Sequence, residues 1–139
     1  MANVTEVLQA SAWAGGVKRS KSEQLHDAFA FQCRARRLPA FVTEHRFAKE
    51  RGRQFRFDFC WPEYRVAVEL DGLVVRKIGR ETVTMGRHAT ITGMRQDMVK
   101  GNLACELGWF VLHFEQGMVK SGAAIDTTLA VLYARGFTR

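Results

Sequence analysis

Two carboxylates face each other across a predicted β-hairpin, which is an unfavourable place for like charges. The hairpin is the stretch RFDFCWPEYRVAVELDG, and a two-residue turn at Glu63 and Tyr64 places Asp58 opposite Glu69. Directly opposed residues of antiparallel strands have Cβ atoms roughly 4.5–5.5 Å apart, where like charges are destabilising. A hard divalent cation would remove this repulsion, because it prefers carboxylate oxygens as ligands. The pattern therefore predicts a Mg²⁺ site, with Mn²⁺ as a substitute.

Alternation along the two strands predicts one apolar face and one charged face. The predicted core face carries Phe55, Phe57, Phe59, Val66, Val68 and Leu70. The other face carries Arg56, Asp58, Ala67, Glu69 and Asp71. Asp71 and the backbone carbonyl of Leu70 would add oxygen ligands for the metal. In the competing interpretation, the carboxylates pair with Arg56 or Arg65 on an exposed face and Asp71 only begins a turn. Three carboxylates on one face of a basic protein favour the metal.

The patterns around the hairpin define the elements that must position these side chains. Ser20 and Glu23 form a capping box that begins a helix, and this helix should end before Pro39. Three alternating stretches then predict an antiparallel meander, at residues 41–47, 54–60 and 65–72. A segment without a clear period, residues 73–92, is predicted to be a mobile loop. The remaining patterns predict a helix, a strand and a helix, at residues 93–107, 109–114 and 123–135.

This order, αβββαβα, predicts an α/β fold in which helices flank a mixed β-sheet. The sheet would combine the antiparallel meander with a parallel crossover strand, because a helix separates the last strand from the meander. Residues 1–19 are predicted to form an N-terminal arm, and residues 20–139 a single domain.

Composition favours a polyanion as the partner. The 139-residue chain has 21 Lys and Arg against 14 Asp and Glu, and its bases recur along the whole chain. Such a surplus indicates nucleic acid before membrane. The three cysteines are far apart and lie in apolar segments, which predicts reduced thiols. With no membrane-spanning run and no leader pattern, we expect an intracellular, cytoplasmic protein that does not enter the membrane.

Five short motifs in this order resemble the PD-(D/E)xK nuclease superfamily. They are DFCWP, VELDG, GRH, DMVK and GWFVLHF. The likeness covers residues 20–114 and is greatest to the compact branch of very-short-patch repair endonucleases and phage-encoded junction-resolving nucleases. It implies a restriction-endonuclease-like core, in which a hairpin presents Asp58 and Glu69 to Mg²⁺. It also implies a role in DNA repair or recombination, with a phage-encoded protein acting in the host cytoplasm as one option.

The sequence departs from the family pattern at the group that activates water. The family usually has Lys two residues after the Glu, and Asp71 stands there. Lys100, one helical turn beyond Asp97, resembles a Lys that has migrated onto the following helix; otherwise it is an exposed cation. His88 in GRH resembles the histidine of the repair branch, and Asp71 could itself serve as a ligand. The resemblance also implies Glu23, on the first helix, as a site residue.

The predicted function is Mg²⁺-dependent endonucleolytic hydrolysis of DNA, selective for branched (Holliday-junction-like) or distorted structures. Phosphate contacts are expected from Arg34, Arg36, Arg37, Lys49, Arg51, Arg53, Arg76, Lys77, Arg80 and Arg87. Trp61 could wedge into distorted DNA, although core packing is the commoner role. Two alternatives are a sequence-preferring nicking, repair or restriction-type endonuclease and an inactive DNA-binding accessory protein. Cutting both strands would require a homodimer, whereas nicking would not, and the sequence leaves both open.

Overall fold

The structure is a computed structural model that describes residues 18–72, 74–85 and 90–139. The predicted N-terminal arm lies outside these residues except for Lys18 and Arg19, and His88 lies outside them as well. No helix among the described residues is long and apolar enough to cross a membrane.

Four helices and six strands make up the described part of the chain. The helices are α1 (Lys21–Ala35), α2 (Ile91–Glu106), α3 (Gln116–Ser121) and α4 (Ala123–Ala134). The strands are β1 (Val42–His45), β2 (Phe57–Trp61), β3 (Val66–Leu70), β4 (Val74–Ile78), β5 (Glu81–Met85) and β6 (Phe110–Phe114). A short 3₁₀ helix, Lys49–Arg51, precedes β2.

The main sheet is mixed, as the order of elements predicts. Its four strands lie in the order β1-β2-β3-β6. The β1–β2 and β2–β3 pairs are antiparallel, and β3–β6 is parallel. Helix α2 lies between β3 and β6 in the chain, which allows the parallel return. The coarse prediction of an α/β fold with helices flanking a mixed sheet is confirmed.

The hairpin between β2 and β3 has the predicted register. Cys60 pairs with Ala67 and Phe59 with Val68. The turn is closed by Arg65, whose N–H donates to the Pro62 carbonyl at 3.2 Å, so Glu63 and Tyr64 are its central residues. This register brings Asp58 level with Glu69.

The predicted mobile loop is wrong for residues 74–85. Strands β4 and β5 pair antiparallel as a separate two-stranded sheet. Ile78 pairs with Glu81, so Gly79 and Arg80 form a two-residue turn, and Gly79 has the positive φ of +65° that such a turn requires. Six β-branched residues support these strands, namely Val74, Val75, Ile78, Thr82, Val83 and Thr84.

Helix boundaries follow their predicted caps. Ser20 and Glu23 form a complete capping box at α1. Helix α2 begins two residues before the predicted Gly93, because the Thr90 side chain accepts a hydrogen bond from the Gly93 N–H at 3.0 Å. Gly108, at φ 79°, ends it as predicted. Helix α3 was not predicted, since six residues are too few to show a helical period.

Both faces of the main sheet are buried, which corrects the prediction of one core face and one charged face. The larger apolar cluster lies between the sheet and α1, α3 and α4 and contains Phe29, Phe59 and Val68. A smaller cluster joins Ala67 to Ala104 of α2 on the opposite side. The predicted charged face is therefore apolar over much of its length and polar only near Glu69.

Phe57 belongs to the smaller cluster and not to the predicted core face. Its ring stacks on Phe47 with centroids 3.9 Å apart and meets Trp109 edge-on at 5.0 Å. The expected alternation fails between Phe57 and Phe59, next to a left-handed residue in β1. That residue is Glu44, which has φ 53° at the register position facing Asp58. The period of two therefore does not hold between Phe57 and Phe59, which belong to different clusters.

Trp61 is a core residue. Its side chain is 1% exposed, and its indole N–H donates to the Pro39 carbonyl at 2.8 Å. The suggestion that Trp61 wedges into distorted DNA is therefore wrong, because the ring is not accessible.

Candidate functional site

Helix α2 brings Lys100 to the buried carboxylate of Glu69. Lys100 Nζ donates to Glu69 Oε1 and to the Arg56 carbonyl, the latter at 2.6 Å. The side chain of Glu69 is 8% exposed and that of Lys100 is 22% exposed. The two residues are 31 positions apart in sequence. The ammonium group is thus held between two oxygen acceptors at the edge of the smaller apolar cluster.

Asp58 is fixed to the neighbouring strand by its side chain. Its Oδ2 accepts a hydrogen bond from the Leu70 backbone N–H at 2.8 Å. The Leu70 N–H therefore takes part in the site, and its carbonyl as a metal ligand stays a prediction. With 17% of its side chain exposed, Asp58 has one oxygen held by the backbone and the other directed at α1.

The two neighbouring carboxyl groups have pKa values shifted in opposite directions. Burial raises the pKa of Glu69 to about 7, against the lowering effect of Lys100. Burial also disfavours the charged form of Asp58, but hydrogen bonds from His26 and Leu70 outweigh it and keep the pKa of Asp58 below its ordinary value. The two side chains hydrogen-bond to each other, which lowers the pKa of Asp58 and raises that of Glu69.

His26 on α1 contacts Asp58, which the sequence did not predict. Its Nε2 lies 3.5 Å from Asp58 Oδ1, and its Nδ1 lies 2.7 Å from the Ser22 carbonyl. The ring also stacks on Phe59, with centroids 5.7 Å apart. The hydrogen bond to Asp58 raises the pKa of His26, whereas burial opposes this. One signal was present in the sequence: His26 follows the candidate Glu23 by one helical turn.

Asp71 lies beside a second histidine, at the far end of β3. Its backbone N–H donates to the Phe114 carbonyl at 2.8 Å, and its Oδ2 is 3.5 Å from His113 Nδ1. This hydrogen-bonded partner raises the pKa of His113, against the effect of burial. His113 is the partner of Glu69 in the parallel β3–β6 pair. Asp71 is therefore close to Glu69 in the sheet, but its side chain contacts His113 and not Lys100.

The structure brings together some of the predicted site residues and separates others. Asp58, Glu69 and Lys100 meet, and Asp71 lies nearby, directly after the end of β3. Glu23 does not join them in a described contact. Its carboxylate accepts from the Ser20 N–H at 2.8 Å, in the capping box, and this hydrogen bond lowers the pKa of Glu23.

Several of the predicted phosphate-binding residues are exposed. They are Arg34, Arg37, Lys49, Arg51, Arg53 and Arg80. Arg36 is half-buried and forms an ion pair with Asp126, at 2.8 Å. Arg76 and Lys77 lie in β4, and Arg87 lies outside the described residues. Exposed basic side chains are therefore present on the described part of the chain.

No protein-family model, curated protein or solved structure matches this chain significantly. The arrangement itself offers paired carboxylates, one of them with a pKa near neutrality, and an ammonium group in contact with that carboxylate. Such a set can hold a divalent cation and can stabilise negative charge on a bound phosphate.

Proposed function

We propose that this protein is a Mg²⁺-dependent DNA endonuclease with a restriction-endonuclease-like core, related to the PD-(D/E)xK nucleases. One observation carries the proposal. Lys100 of α2 meets the carboxyl pair of the β2–β3 hairpin, Asp58 and Glu69, although it is 31 positions from Glu69 in sequence. Burying two carboxyl groups and one ammonium group costs desolvation free energy, which lowers the stability of the fold. Buried ionisable groups with shifted pKa values are common at active sites.

The donor set fits a hard divalent cation. Asp58 and Glu69 present oxygen donors, and their shared hydrogen bond marks a position where a positive charge stabilises both. These two side chains would hold the metal, with Asp71 and the Leu70 carbonyl as further candidates. Bound Mg²⁺ would polarise the scissile phosphate and lower the pKa of a bound water.

Lys100 is the leading candidate for the group that the family usually places two residues after the Glu. Its ammonium already contacts Glu69, so it would lie close to a phosphate bound at the carboxylates. There it would orient the attacking water and balance the charge that develops on the phosphate. His88 and Asp71 remain the other candidates for activating the water.

DNA is the proposed substrate because the chain has a net charge of +7 and many exposed arginines. Contacts of this kind position the phosphate backbone without reading base sequence. We therefore propose selectivity for branched or distorted DNA, in an intracellular protein whose three cysteines are free thiols. The competing proposals are a sequence-preferring nicking or restriction-type endonuclease and a DNA-binding protein without activity.

Cleavage of a small substrate panel tests the proposal. The full chain and its Asp58→Ala variant are incubated with plasmid, linear duplex, flap and four-way junction, with Mg²⁺ or with EDTA. We expect the wild type to cut at least one substrate only with Mg²⁺, and Asp58→Ala to bind the same DNA without cutting it. Binding by both proteins with no cleavage of any substrate would favour the inactive accessory protein instead.

A further inference from the structure

A second group of metal-binding side chains adjoins the carboxylate pair. His26 of α1, Glu44 of β1 and Asp58 of β2 each offer one donor atom, and these atoms lie within 4.8 Å of one another. The three residues lie on three different secondary-structure elements, so only the tertiary fold brings their donor atoms together. Glu69 and Lys100 are not among these donors, which separates the group from the proposed Mg²⁺ ligands except at Asp58.

The hydrogen bond to Ser22 decides which form of His26 faces the carboxylates. A backbone carbonyl only accepts hydrogen bonds, so the Nδ1 that lies 2.7 Å from it carries a proton. In the protonated ring Nε2–H faces Asp58, and in the neutral ring the lone pair of Nε2 becomes available to a metal ion. An Nδ1–H that donates to a backbone carbonyl is the usual support of a metal-binding histidine, because it fixes both the tautomer and the ring orientation.

The spacing of the donors also suits a metal ion. Nε2 of His26 and Oδ1 of Asp58 are 3.5 Å apart, longer than a charge-assisted hydrogen bond between nitrogen and oxygen. Two ligands of a tetrahedral ion with bonds of about 2.1 Å lie roughly 3.4 Å apart. The observed separation therefore suits two ligands on one ion as well as it suits the direct contact between the two side chains.

Glu44 completes the group from the solvent side. Its backbone is left-handed, at φ 53°, which an L-residue other than glycine adopts only at a cost. Its side chain is 55% exposed and lies 3.6 Å from the Arg56 guanidinium, so Arg56 is the cation that an incoming metal would have to displace from it. The group is thus half-buried at His26 and Asp58 and open to solvent at Glu44.

We propose that His26, Glu44 and Asp58 bind a divalent transition-metal ion, such as Zn²⁺ or Mn²⁺, through Nε2 and one oxygen of each carboxylate. Imidazole nitrogen with two carboxylates suits these ions, whereas Mg²⁺ selects oxygen ligands. This binding does not require that the protein cleave DNA, and it therefore goes beyond the proposed function. Because Asp58 belongs to both donor sets, an ion here would lie next to the Mg²⁺ proposed at Glu69.

Calorimetric titration of the full chain with Zn²⁺, and separately with Mn²⁺ and Mg²⁺, tests the proposal without DNA. All proteins carry Cys105→Ser, because an exposed thiol binds Zn²⁺ by itself. We expect His26→Gln and Glu44→Gln to weaken Zn²⁺ and Mn²⁺ binding by about tenfold or more. His26→Gln should leave Mg²⁺ affinity within about twofold of the parent protein.

Two variants serve as matched controls. His45→Gln removes a histidine whose ring packs against Trp109, and Glu63→Gln removes an exposed carboxylate in the β2–β3 turn. Both should bind Zn²⁺ as the parent does. Unchanged Zn²⁺ affinity in His26→Gln would overturn the proposal. If Glu69→Gln abolished Zn²⁺ binding while His26→Gln and Glu44→Gln did not, Zn²⁺ would bind at the carboxylates of the proposed nuclease site. The separate transition-metal site would then be contradicted.

A measurement on the wild-type ring keeps the test valid if a variant fails to fold. The ¹⁵N resonance of His26 Nε2 should shift more on addition of Zn²⁺, which binds the nitrogen directly, than on addition of Mg²⁺, which reaches the ring only through Asp58. No shift with Zn²⁺ at concentrations that saturate the calorimetric binding would contradict the assignment of His26 as a ligand.

Discussion

The two faces of the main sheet are both covered by helices, but they differ in what they bury. The face toward α1, α3 and α4 buries the larger cluster, in which Phe29, Phe59 and Val68 are almost fully inaccessible. The face toward α2 buries a smaller cluster, and Glu69 and Lys100 lie at its edge. We infer that the larger apolar cluster supplies most of the stability of the fold, so that the opposite face can bury charged side chains that contribute little to it. Stability and chemistry should therefore respond to different substitutions.

The largest effect on stability is expected at the first face. Phe29 is fully buried, and its ring contacts Phe59 and Phe114 at centroid distances of 5.0 and 6.4 Å. Phe29→Ala should lower the free energy of unfolding by about 3–5 kcal/mol, from lost burial and the cavity left behind. Denaturant unfolding of the wild type and the variant measures this loss of free energy. Phe31→Ala on the same helix, where the side chain is 37% exposed, is the control and should cost much less. Equal losses would contradict the assignment of the core.

The next effect is expected at the edge of the second face and should appear in activity. Lys100→Met removes the ammonium beside Glu69 but keeps much of the apolar stem. Single-turnover cleavage with Mg²⁺ should slow by about a hundredfold, as when one preorganised charge-stabilising group is lost. Lys120→Met, at an exposed position of α3, is the control for the loss of one positive charge. Equal cleavage rates in Lys100→Met and Lys120→Met would contradict the assignment of Lys100 to the active site.

A smaller effect concerns the pH dependence of stability. Burial raises the pKa of Glu69 from an ordinary 4.5 to about 7, so the folded chain binds this proton more tightly than the unfolded chain. The resulting stability is fully present below the ordinary pKa and is lost as pH rises through about 7. Between about pH 5 and pH 8 the loss should be on the order of 2 kcal/mol. The free energy of unfolding of the wild type and of Glu69→Gln is measured at both pH values. An equal change with pH in the two proteins would contradict the prediction.

The smallest effect is expected at an exposed ion pair between the end of α1 and α4. Arg36 and Asp126 form an ion pair at 2.8 Å, with 41% and 66% of their side chains exposed. Exposed pairs contribute about 1 kcal/mol or less, because water and salt screen them. Arg36→Ala should therefore shift the thermal midpoint only slightly. A loss comparable to that of Phe29→Ala would mean that the α1–α4 contact depends on charge.

Local patterns were sufficient to predict most of the fold. The capping box at Ser20, the turn at Glu63 and Tyr64, and the stop at Gly108 each depend on a few adjacent residues, and all were confirmed. The β4–β5 hairpin was missed because polar and basic residues interrupt its apolar positions. The side to which Phe57 points was also missed, because strict alternation along β2 would place it with Phe59, and the strand departs from that alternation.

The site was less predictable, because its contacts join distant parts of the chain. Asp58 and Glu69 follow from the register of one hairpin, and Lys100 was named as a candidate from its motif. His26 was not among the predicted site residues, since nothing local indicates that α1 packs against Asp58. Glu44 reaches the same carboxylate from β1, which only the pairing of β1 with β2 reveals.

Cleavage by Glu69→Gln as a function of Mg²⁺ concentration tests the central claim most directly. Gln keeps the size and hydrogen bonding of the side chain but cannot become a carboxylate, so it should fold and bind DNA while losing the metal. On whichever DNA the wild type cuts best, the account predicts Mg²⁺-dependent cleavage by the wild type. Glu69→Gln should then cleave at least about a hundredfold more slowly at saturating Mg²⁺. Cleavage by Glu69→Gln at the wild-type rate would contradict the claim that this buried carboxylate is part of a metal-dependent nuclease site.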